Sequence, residues 1–244
     1  MIKLENVNIV GWDSAIRGMR NPMNSWEKSD SYYMCENGPC DVCDHENDGN
    51  CSYWGREYAI GNNDHSLMMK LRDAGTDHRK FMRMIAVYVD IIAPLYWWKE
   101  FDTYKVGTVA NSCSTMHKIH EKAFTLEDFS TEHLVSGATY VLKETINFLN
   151  ETREWYLKYD SMPEKDKSHF DDGINCKKDL WYQMIQILPS SYNQKRTVMF
   201  NYEVLANIYK SRKNHKLDEW RYLCKWIETL PYSELITGEC NNEK

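Results

Sequence analysis

The clearest pattern along this 244-residue chain is a strict alternation of side-chain polarity just before its midpoint. Apolar side chains recur at every second position: Ile85, Val87, Val89 and Ile91. This is the period of a strand with one buried face, so we predict a strand over residues 84–93. We expect this strand to end at Pro94, because proline has no N–H group to donate to a neighbouring strand.

Helical periodicity dominates most of the remaining sequence. Residues 134–158 are predicted to form a long amphipathic helix, with apolar side chains at Leu142, Ile146, Leu149 and Tyr156. Shorter helices are predicted near residues 13–20, 63–80, 95–102, 180–188 and 220–230, and a second strand near residues 2–10. The pattern predicts an α+β fold with long helices packed on a small antiparallel sheet. We expect one domain over residues 1–244, with a cysteine-rich insertion at about 30–55.

A polar segment follows the predicted strand and the 95–102 helix. Residues 107–115, GTVANSCST, contain five hydroxyl or thiol side chains and Asn111. They are suited to binding a polar ligand, although a Ser/Thr-rich loop also forms hydrogen bonds with its own backbone. Trp97 and Trp98 precede this segment, and at most one of them is expected to stack on a bound ring, because adjacent helical residues point in different directions.

Composition and charge narrow the choice of partners. Apolar residues make up 42% and charged residues 27% of the chain, and the formal net charge is −6. These values are typical of a soluble globular protein and do not favour nucleic acid as a partner. The longest apolar run, residues 91–98, is too short to span a bilayer, and we expect a cytoplasmic protein without membrane contact.

Four cysteines form a compact cluster in a segment rich in turn-forming residues. Cys35, Cys40, Cys43 and Cys51 have the spacing C-x4-C-x2-C-x7-C. Four thiolates this close together would suit a tetrahedral structural zinc site. The alternative is a loop of unrelated reduced thiols, and the spacing leaves both hypotheses open.

Two further sets of residues are candidates for ligand chemistry. Arg17 and Arg20 lie three residues apart on a predicted helix, which would place them on one face, and with Arg212 they would form an anion pocket. The alternative is that they are solvated surface arginines. His78 and His117 would suit general acid–base chemistry, or they are ordinary surface or satisfied buried histidines.

The segment after Ala93-Pro94 resembles the signature of the flavin-dependent thymidylate synthase family, R-H-R-x-x-S-x-N-E-x-S-x-R-Y. Aligned from Pro94, the R-H-R triplet falls on Thr103, Tyr104 and Lys105, so only Lys105 keeps a positive charge. The first serine falls on Thr108. With one inserted residue, the asparagine and second serine fall on Asn111 and Ser114.

Two other blocks resemble the same family. Residues 13–20, DSAIRGMR, are similar to its S-A-x-R-A-A-R opening, and Ile187-Leu188-Pro189 is similar to its V-L-P. Beyond that proline, the N-x-R-S-L-x-N-F-x-x-L-R motif is matched at Asn201, Leu205, Asn207 and Arg212. Two family arginines are replaced, by Ile185 and Glu203.

The resemblance implies a flavin-dependent methyltransferase of pyrimidine nucleotide biosynthesis. It would bind FAD, methylate dUMP with methylenetetrahydrofolate, use NADPH as reductant and assemble as a homotetramer. The residues implied are catalytic Lys105 and Ser114; cofactor-binding Arg17, Arg20, Thr103, Tyr104, Lys105, Asn201 and Asn207; and substrate-binding Thr108, Asn111, Ser114 and Arg212. The alternatives are a same-fold enzyme acting on another pyrimidine nucleotide, and a non-catalytic nucleotide-binding or zinc-stabilised interaction protein.

Overall fold

The computed structural model describes residues 2–35, 38–39, 57–167, 170 and 173–238. The α-helices of this part of the chain are α1 (Trp12–Arg20), α2 (Asn62–Asp73), α3 (Leu95–Phe101), α4 (Thr115–Lys118), α5 (Ser136–Lys158), α6 (Glu164–Lys167), α7 (Lys177–Ile187), α8 (Tyr202–Arg212), α9 (Asp218–Glu228) and α10 (Glu234–Thr237). The strands are β1 (Lys3–Val10), β2 (Tyr32–Cys35), β3 (Gly38–Pro39), β4 (Glu57–Ala59), β5 (Ala86–Pro94), β6 (Val109–Ser112) and β7 (Asn193–Asn201).

These elements form two sheets. One has the strand order β1-β5-β7-β6, and the other has the order β3-β2-β4. The second sheet is antiparallel, and Tyr33 of β2 lies opposite Tyr58 of β4. The predicted α+β fold is confirmed. The sequence predicted β1 and β5 but not β2, β3, β4, β6 and β7. In β7, the polar run at residues 194–197 hides the alternation.

The described chain divides into two compact units. The first comprises residues 1–5, 90–103 and 110–198, and the second comprises residues 6–89, 104–109 and 199–244. Strands β1, β5, β6 and β7 each have residues in both units. The prediction of one domain over the whole chain stays a prediction.

The junction of β5 and α3 shows how the sequence turns from strand to helix. Pro94 has extended backbone angles, and α3 begins at the next residue. The first two N–H groups of α3, from Leu95 and Tyr96, donate to the carbonyl oxygens of Tyr192 and Ser190 at 3.0 Å each. These bonds satisfy donors that a helix start leaves without an intrahelical partner.

Two apolar clusters form the core of the first unit. In the larger cluster, α5 and α7 bury Ile119, Phe124, Phe129, Leu142, Ile146, Leu149 and Met184. The predicted long helix is therefore confirmed as α5. The second cluster contains Trp97, Trp98 and Phe101, whose ring centroids lie 4.9–5.2 Å apart. Both tryptophans are buried, so neither presents an accessible ring to a ligand.

The second unit has a separate helical core. Its buried side chains come from α1, α2, α8, α9, α10 and the 3-10 turn Arg79–Met84, and they include Trp12, Ile16, Met68, Tyr202, Leu205, Trp220 and Leu223. Cys224 of α9 is buried with them, as its place on the apolar stripe predicts. Burial raises the pKa of the Cys224 thiol to about 12, which keeps it unreactive at neutral pH.

Candidate functional site

Helix α8 positions Arg212, which the sequence resemblance predicts to bind substrate. Asn201 begins the helix as its N-cap, and its side-chain oxygen accepts a hydrogen bond from the Val204 N–H at 2.9 Å. Arg212 is the last residue of α8. A cation is favoured there because the carbonyl groups at a helix C-terminus carry partial negative charge.

Two aromatic side chains hold the guanidinium of Arg212. Its Nε donates to the Tyr104 hydroxyl at 2.9 Å. Its Cζ lies 4.7 Å from the centroid of the Trp220 ring and 5.6 Å from that of the Tyr104 ring. Ring contacts and a directed hydrogen bond together fix the plane of the guanidinium group. We name this group, Arg212, Tyr104 and Trp220, the arginine clamp.

Gly107 brings the segment that follows Tyr104 close to the start of α8. Its φ is +81°, and a Cβ atom there would lie 2.9 Å from Cγ2 of Val204 and 3.1 Å from Nδ2 of Asn201. Glycine is required by both the left-handed backbone and this close approach. The Thr108 hydroxyl then donates to the carbonyl oxygen of Tyr104. Tyr104 thus meets Arg212 at the C-terminal end of α8, whereas Gly107 lies against Val204 and Asn201 at its start. Lys105 and Asn207 are exposed.

Arg17 and Arg20, both in α1, have different surroundings. The Arg17 side chain is 63% exposed and lies 3.5 Å from the Asp13 carboxylate. Arg20 is only 3% exposed, and its Nε donates to Asp64 at 2.6 Å. The Nη atoms of Arg20 donate to the carbonyl oxygens of Ser25 and Lys28. Arg20 therefore holds the chain together after α1, and its cofactor role stays a prediction.

Three predicted site residues belong to the first unit, and all three are exposed. The Thr103 hydroxyl donates to the carbonyl oxygen of Glu100 at 2.8 Å. Asn111 lies in β6. Ser114 is the N-cap of α4, and its hydroxyl oxygen accepts from the His117 N–H at 3.0 Å. Part of the polar segment thus satisfies its own backbone, as the alternative interpretation predicts.

Glu203 stands where the family motif has an arginine, and its carboxylate pairs with Arg79, a residue that the sequence did not indicate. Glu203 is 6% exposed, and its carboxylate lies 2.8 Å from Nε and 3.0 Å from Nη2 of Arg79. A buried carboxylate needs such a cation, because an uncompensated charge is costly in the interior. The signal in the sequence was Glu203 itself, an acidic residue among the apolar residues of α8, because a buried carboxylate requires a cationic partner.

Two cations of β7, Lys195 and Arg196, lie next to each other in the sequence. Lys195 lies 2.9 Å from the Asp90 carboxylate and 3.5 Å from that of Glu5. Arg196 bonds Asp102 at 2.9 Å, and its guanidinium carbon lies 4.2 Å from the Trp98 ring centroid. Each cation already pairs with carboxylate, which weakens its attraction for an anionic ligand.

The remaining candidates lie at the surface or outside the described residues. His78 and His117 are exposed. Cys35 ends β2, and the predicted zinc site, including Cys40, Cys43 and Cys51, lies outside the residues whose side chains are described. Across the described parts of the chain, no other group of three histidine, cysteine or acidic side chains is arranged to hold a metal. No described helix combines the length and apolar character needed to cross a membrane.

Comparison with known proteins identifies the fold. No protein-family model and no curated protein sequence matches this chain. Among solved structures, the fold is that of the flavin-dependent thymidylate synthases. A flavin-dependent thymidylate synthase ThyX from Helicobacter pylori, complexed with FAD and dUMP, matches with a TM-score of 0.59 and 16% identity, over 96% of this chain and 99% of that one.

Two further structures match over nearly their whole length. A second structure of the Helicobacter pylori enzyme with FAD and dUMP has a TM-score of 0.59 and 14% identity, over 98% of each chain. A UMP/dUMP methylase, PolB from Streptomyces cacaoi, bound with 5-Br dUMP, has a TM-score of 0.54 and 12% identity, over 98% of this chain and 95% of that one. The sequence resemblance is thereby confirmed at the level of the fold.

Proposed function

We propose that this chain is a divergent flavin-dependent enzyme that methylates a pyrimidine nucleotide, with dUMP as substrate, methylenetetrahydrofolate as one-carbon donor and NADPH as reductant. The observation that carries the proposal is the arginine clamp. Arg212 occupies a nucleotide-binding position of the family motif, on a chain with the family's fold. The two rings and the Tyr104 hydroxyl orient its guanidinium, so little conformational entropy is lost when phosphate binds.

The predicted cofactor-binding residues suit the polar parts of FAD. Lys105 contributes an exposed primary amine for a phosphate, and Asn201 and Asn207 contribute amide groups. Thr103 and Tyr104 would complete the cofactor contacts, with Arg17 as a further cation. A bound reduced flavin supplies the electrons for methyl transfer, so no protein nucleophile is needed for that part of the chemistry.

Lys105 and Ser114 are the residues we assign to polarising the substrate. Lys105 places the one positive charge that remains of the family triplet beside Tyr104. The Ser114 oxygen accepts from the backbone of α4, which leaves its O–H to donate to a nucleotide. Thr108 and Asn111 would add polar contacts with the same substrate.

Titration calorimetry with dUMP tests the substrate assignment. Arg212→Ala should weaken binding about ten- to a hundredfold, because a charge-assisted contact contributes about 1.5–3 kcal/mol. Arg83→Ala removes an exposed arginine of the same unit and should leave the affinity unchanged. Equal affinities of wild type and Arg212→Ala would refute the role of Arg212, and absence of dUMP binding by wild type would refute the substrate.

A second candidate function is favoured by the similarity to the UMP/dUMP methylase. The family arginines at positions 185 and 203 are absent here, so the nucleotide contacts must differ from those of the family motif. The enzyme would then act on another pyrimidine nucleotide. Parallel titrations with dUMP and UMP separate the two candidates, because the tighter ligand identifies the sugar that the site accepts.

A non-catalytic nucleotide-binding protein is the remaining alternative. The visible absorption spectrum of the purified protein distinguishes it from both enzymes. Flavin bands that remain with the protein after gel filtration support an enzyme. A colourless protein that still binds no FAD after reconstitution would contradict both flavin-dependent functions.

Self-association into a homotetramer is part of the proposal. Val106, two residues after Tyr104 of the arginine clamp, is 92% exposed. Helix α5 also carries a second apolar stripe, on its exposed side. Val141, Phe148 and Trp155 lie seven residues apart along this stripe, the spacing of a helix–helix contact. Sedimentation should show a tetramer that Phe148→Lys weakens, whereas a monomer at micromolar concentrations would contradict the assembly.

We also retain the proposal that Cys35, Cys40, Cys43 and Cys51 bind one structural zinc ion. Protein purified under reducing conditions, without chelators, should carry about one metal per chain. Cys40→Ser should release it, whereas Cys224→Ser should not, because Cys224 is buried in α9. Elemental analysis that finds no metal in wild type would favour unrelated reduced thiols.

A further inference from the structure

A cavity of about 1010 Å³ opens in the second unit, away from the arginine clamp residues. Its walls come from β1 and the start of α1, from strands β2 and β4, and from residues 226–232. Five aromatic side chains line it: Trp12, Tyr33, Tyr58, Trp226 and Tyr232. Trp12 is largely buried, so the accessible ring surface of the wall comes mainly from the other four side chains.

The rings are held in defined positions. Trp12 and Tyr232 meet edge to face with centroids 5.3 Å apart, and Tyr33 and Tyr58 do the same at 4.8 Å. The Tyr232 hydroxyl accepts a hydrogen bond from the Ile60 N–H at 3.0 Å. The cavity is therefore preorganised, which lowers the cost of binding.

The backbone of the cavity wall is fixed as well. Gly11 has a φ of +98°, and a Cβ atom there would lie 2.1 Å from the carbonyl oxygen of Met84. No other residue type fits this position without moving the chain. Gly11 thus sets the direction in which Trp12 and Asp13 enter α1.

One carboxylate lies in the cavity wall, and Arg17 lies next to it outside the lining. Asp13 is the only charged side chain among the described residues that line it. Burial raises the pKa of Tyr33 and that of Tyr58, the latter to about 12, and the Asp13 carboxylate raises both further. Asp13 therefore acts electrostatically on both tyrosines, which remain protonated at neutral pH.

The ion pair of Asp13 leaves room for a second cation. Its carboxylate lies 3.5 Å from Nη1 of Arg17, and the two side chains are 46% and 63% exposed. A pair so exposed to water is weak, so a cation in the cavity shares the carboxylate at little cost. Phosphate-bearing ligands are disfavoured by the same charge.

We propose that this cavity binds a small organic cation, of the size and shape of a quaternary ammonium group, between the aromatic faces and the Asp13 carboxylate. Ring faces attract such a cation, and the carboxylate balances its charge. The cavity shares no residue with the arginine clamp.

Choline and dimethylbutanol, in which a carbon atom replaces the charged nitrogen, are the probes. Titration of the intrinsic tryptophan fluorescence of the full chain should show saturable choline binding, with dimethylbutanol weaker by about tenfold or more. Asp13→Asn should weaken choline binding several-fold and leave that of dimethylbutanol unchanged. Equal affinities for the two probes, or no saturable choline binding, would overturn the proposal.

Variants of neighbouring tyrosines separate a ring contact from a general effect on folding. Tyr33→Leu removes a cavity ring and should weaken choline binding several-fold, whereas Tyr33→Phe keeps the ring and the affinity. Tyr32→Leu is the matched control, because Tyr32 is the adjacent exposed residue of β2 and does not line the cavity. An equal loss in Tyr32→Leu and Tyr33→Leu would refute a specific ring contact.

Discussion

Two arginines of the second unit show how differently one residue type is used. Arg20 is buried beside Asp64, and its donors are directed at a carboxylate and two backbone carbonyl groups. Arg212 is half-buried, and its described contacts are a phenol hydroxyl and two ring faces. The buried ion pair of Arg20 holds the fold together, whereas the two rings and the phenol hydroxyl fix the plane of the Arg212 guanidinium.

The acidic partner of Arg20 belongs to a wider network. One oxygen of Asp64 accepts from the hydroxyls of Ser29 and Ser31 and from the backbone N–H groups of Asp30 and Ser31. Burial alone would raise the pKa of Asp64, but these hydrogen bonds and Arg20 outweigh it and lower the pKa below its ordinary value of 3.8. The network joins α1 and α2 to the residues before β2.

Truncation of Arg20 should have the largest effect on stability. Arg20→Ala leaves Asp64 buried without its cation, which typically costs about 3–5 kcal/mol. Arg17→Ala, on the same helix, removes only an exposed pair and should cost no more than about 1 kcal/mol. Urea unfolding of the two variants measures the difference, and equal midpoints would contradict the structural role of Arg20.

Acid should weaken the same network in a predictable direction. Because the pKa of Asp64 is lower in the folded chain than in the unfolded one, its contribution is complete above the unfolded value and is lost as the pH falls through the folded value. Unfolding midpoints should therefore drop below about pH 4 in wild type. In Asp64→Asn, the unfolding midpoint should fall less in acid than in wild type. The control Asp73→Asn, at an exposed carboxylate, should keep the wild-type acid dependence. An unchanged acid dependence in Asp64→Asn would refute the assignment.

The smallest effect is expected at Tyr104, and it rests on the proposed function. Tyr104→Phe removes the hydroxyl that accepts from Arg212 but keeps the ring. Loss of one hydrogen bond of about 0.5–1.5 kcal/mol should weaken dUMP binding roughly two- to tenfold. Calorimetry should show a smaller loss than for Arg212→Ala, without a change in unfolding midpoint. A loss as large as that of Arg212→Ala would mean that Tyr104 itself contacts the nucleotide.

The elements with a regular apolar period were the ones that the sequence predicted well. Strand β5 and helix α5 follow from side chains that repeat every two or about every four residues, because one face of each must be buried. Strand β7 was missed because Lys195, Arg196 and Thr197 interrupt its apolar positions, and their partners are supplied by distant residues. Apolar periodicity therefore predicts a strand or helix when the apolar core covers one of its faces. It does not predict one whose face is covered by ion pairs.

The fate of individual polar residues was decided by the tertiary structure. Arg17 and Arg20 are both arginines of α1, but only Arg20 contacts a buried carboxylate. That carboxylate belongs to Asp64, 44 positions further along the chain. Tyr104 and Arg212 are 108 positions apart and meet because Gly107 allows the chain to pass close to α8. The sequence by itself predicted β1, β5, the helices with a regular apolar period and the order of the motif blocks, since those depend on local spacing, but it did not predict α8. Charge pairing and ring contacts depend on which distant residues the packed chain brings within a few ångströms, and only the tertiary structure could decide them.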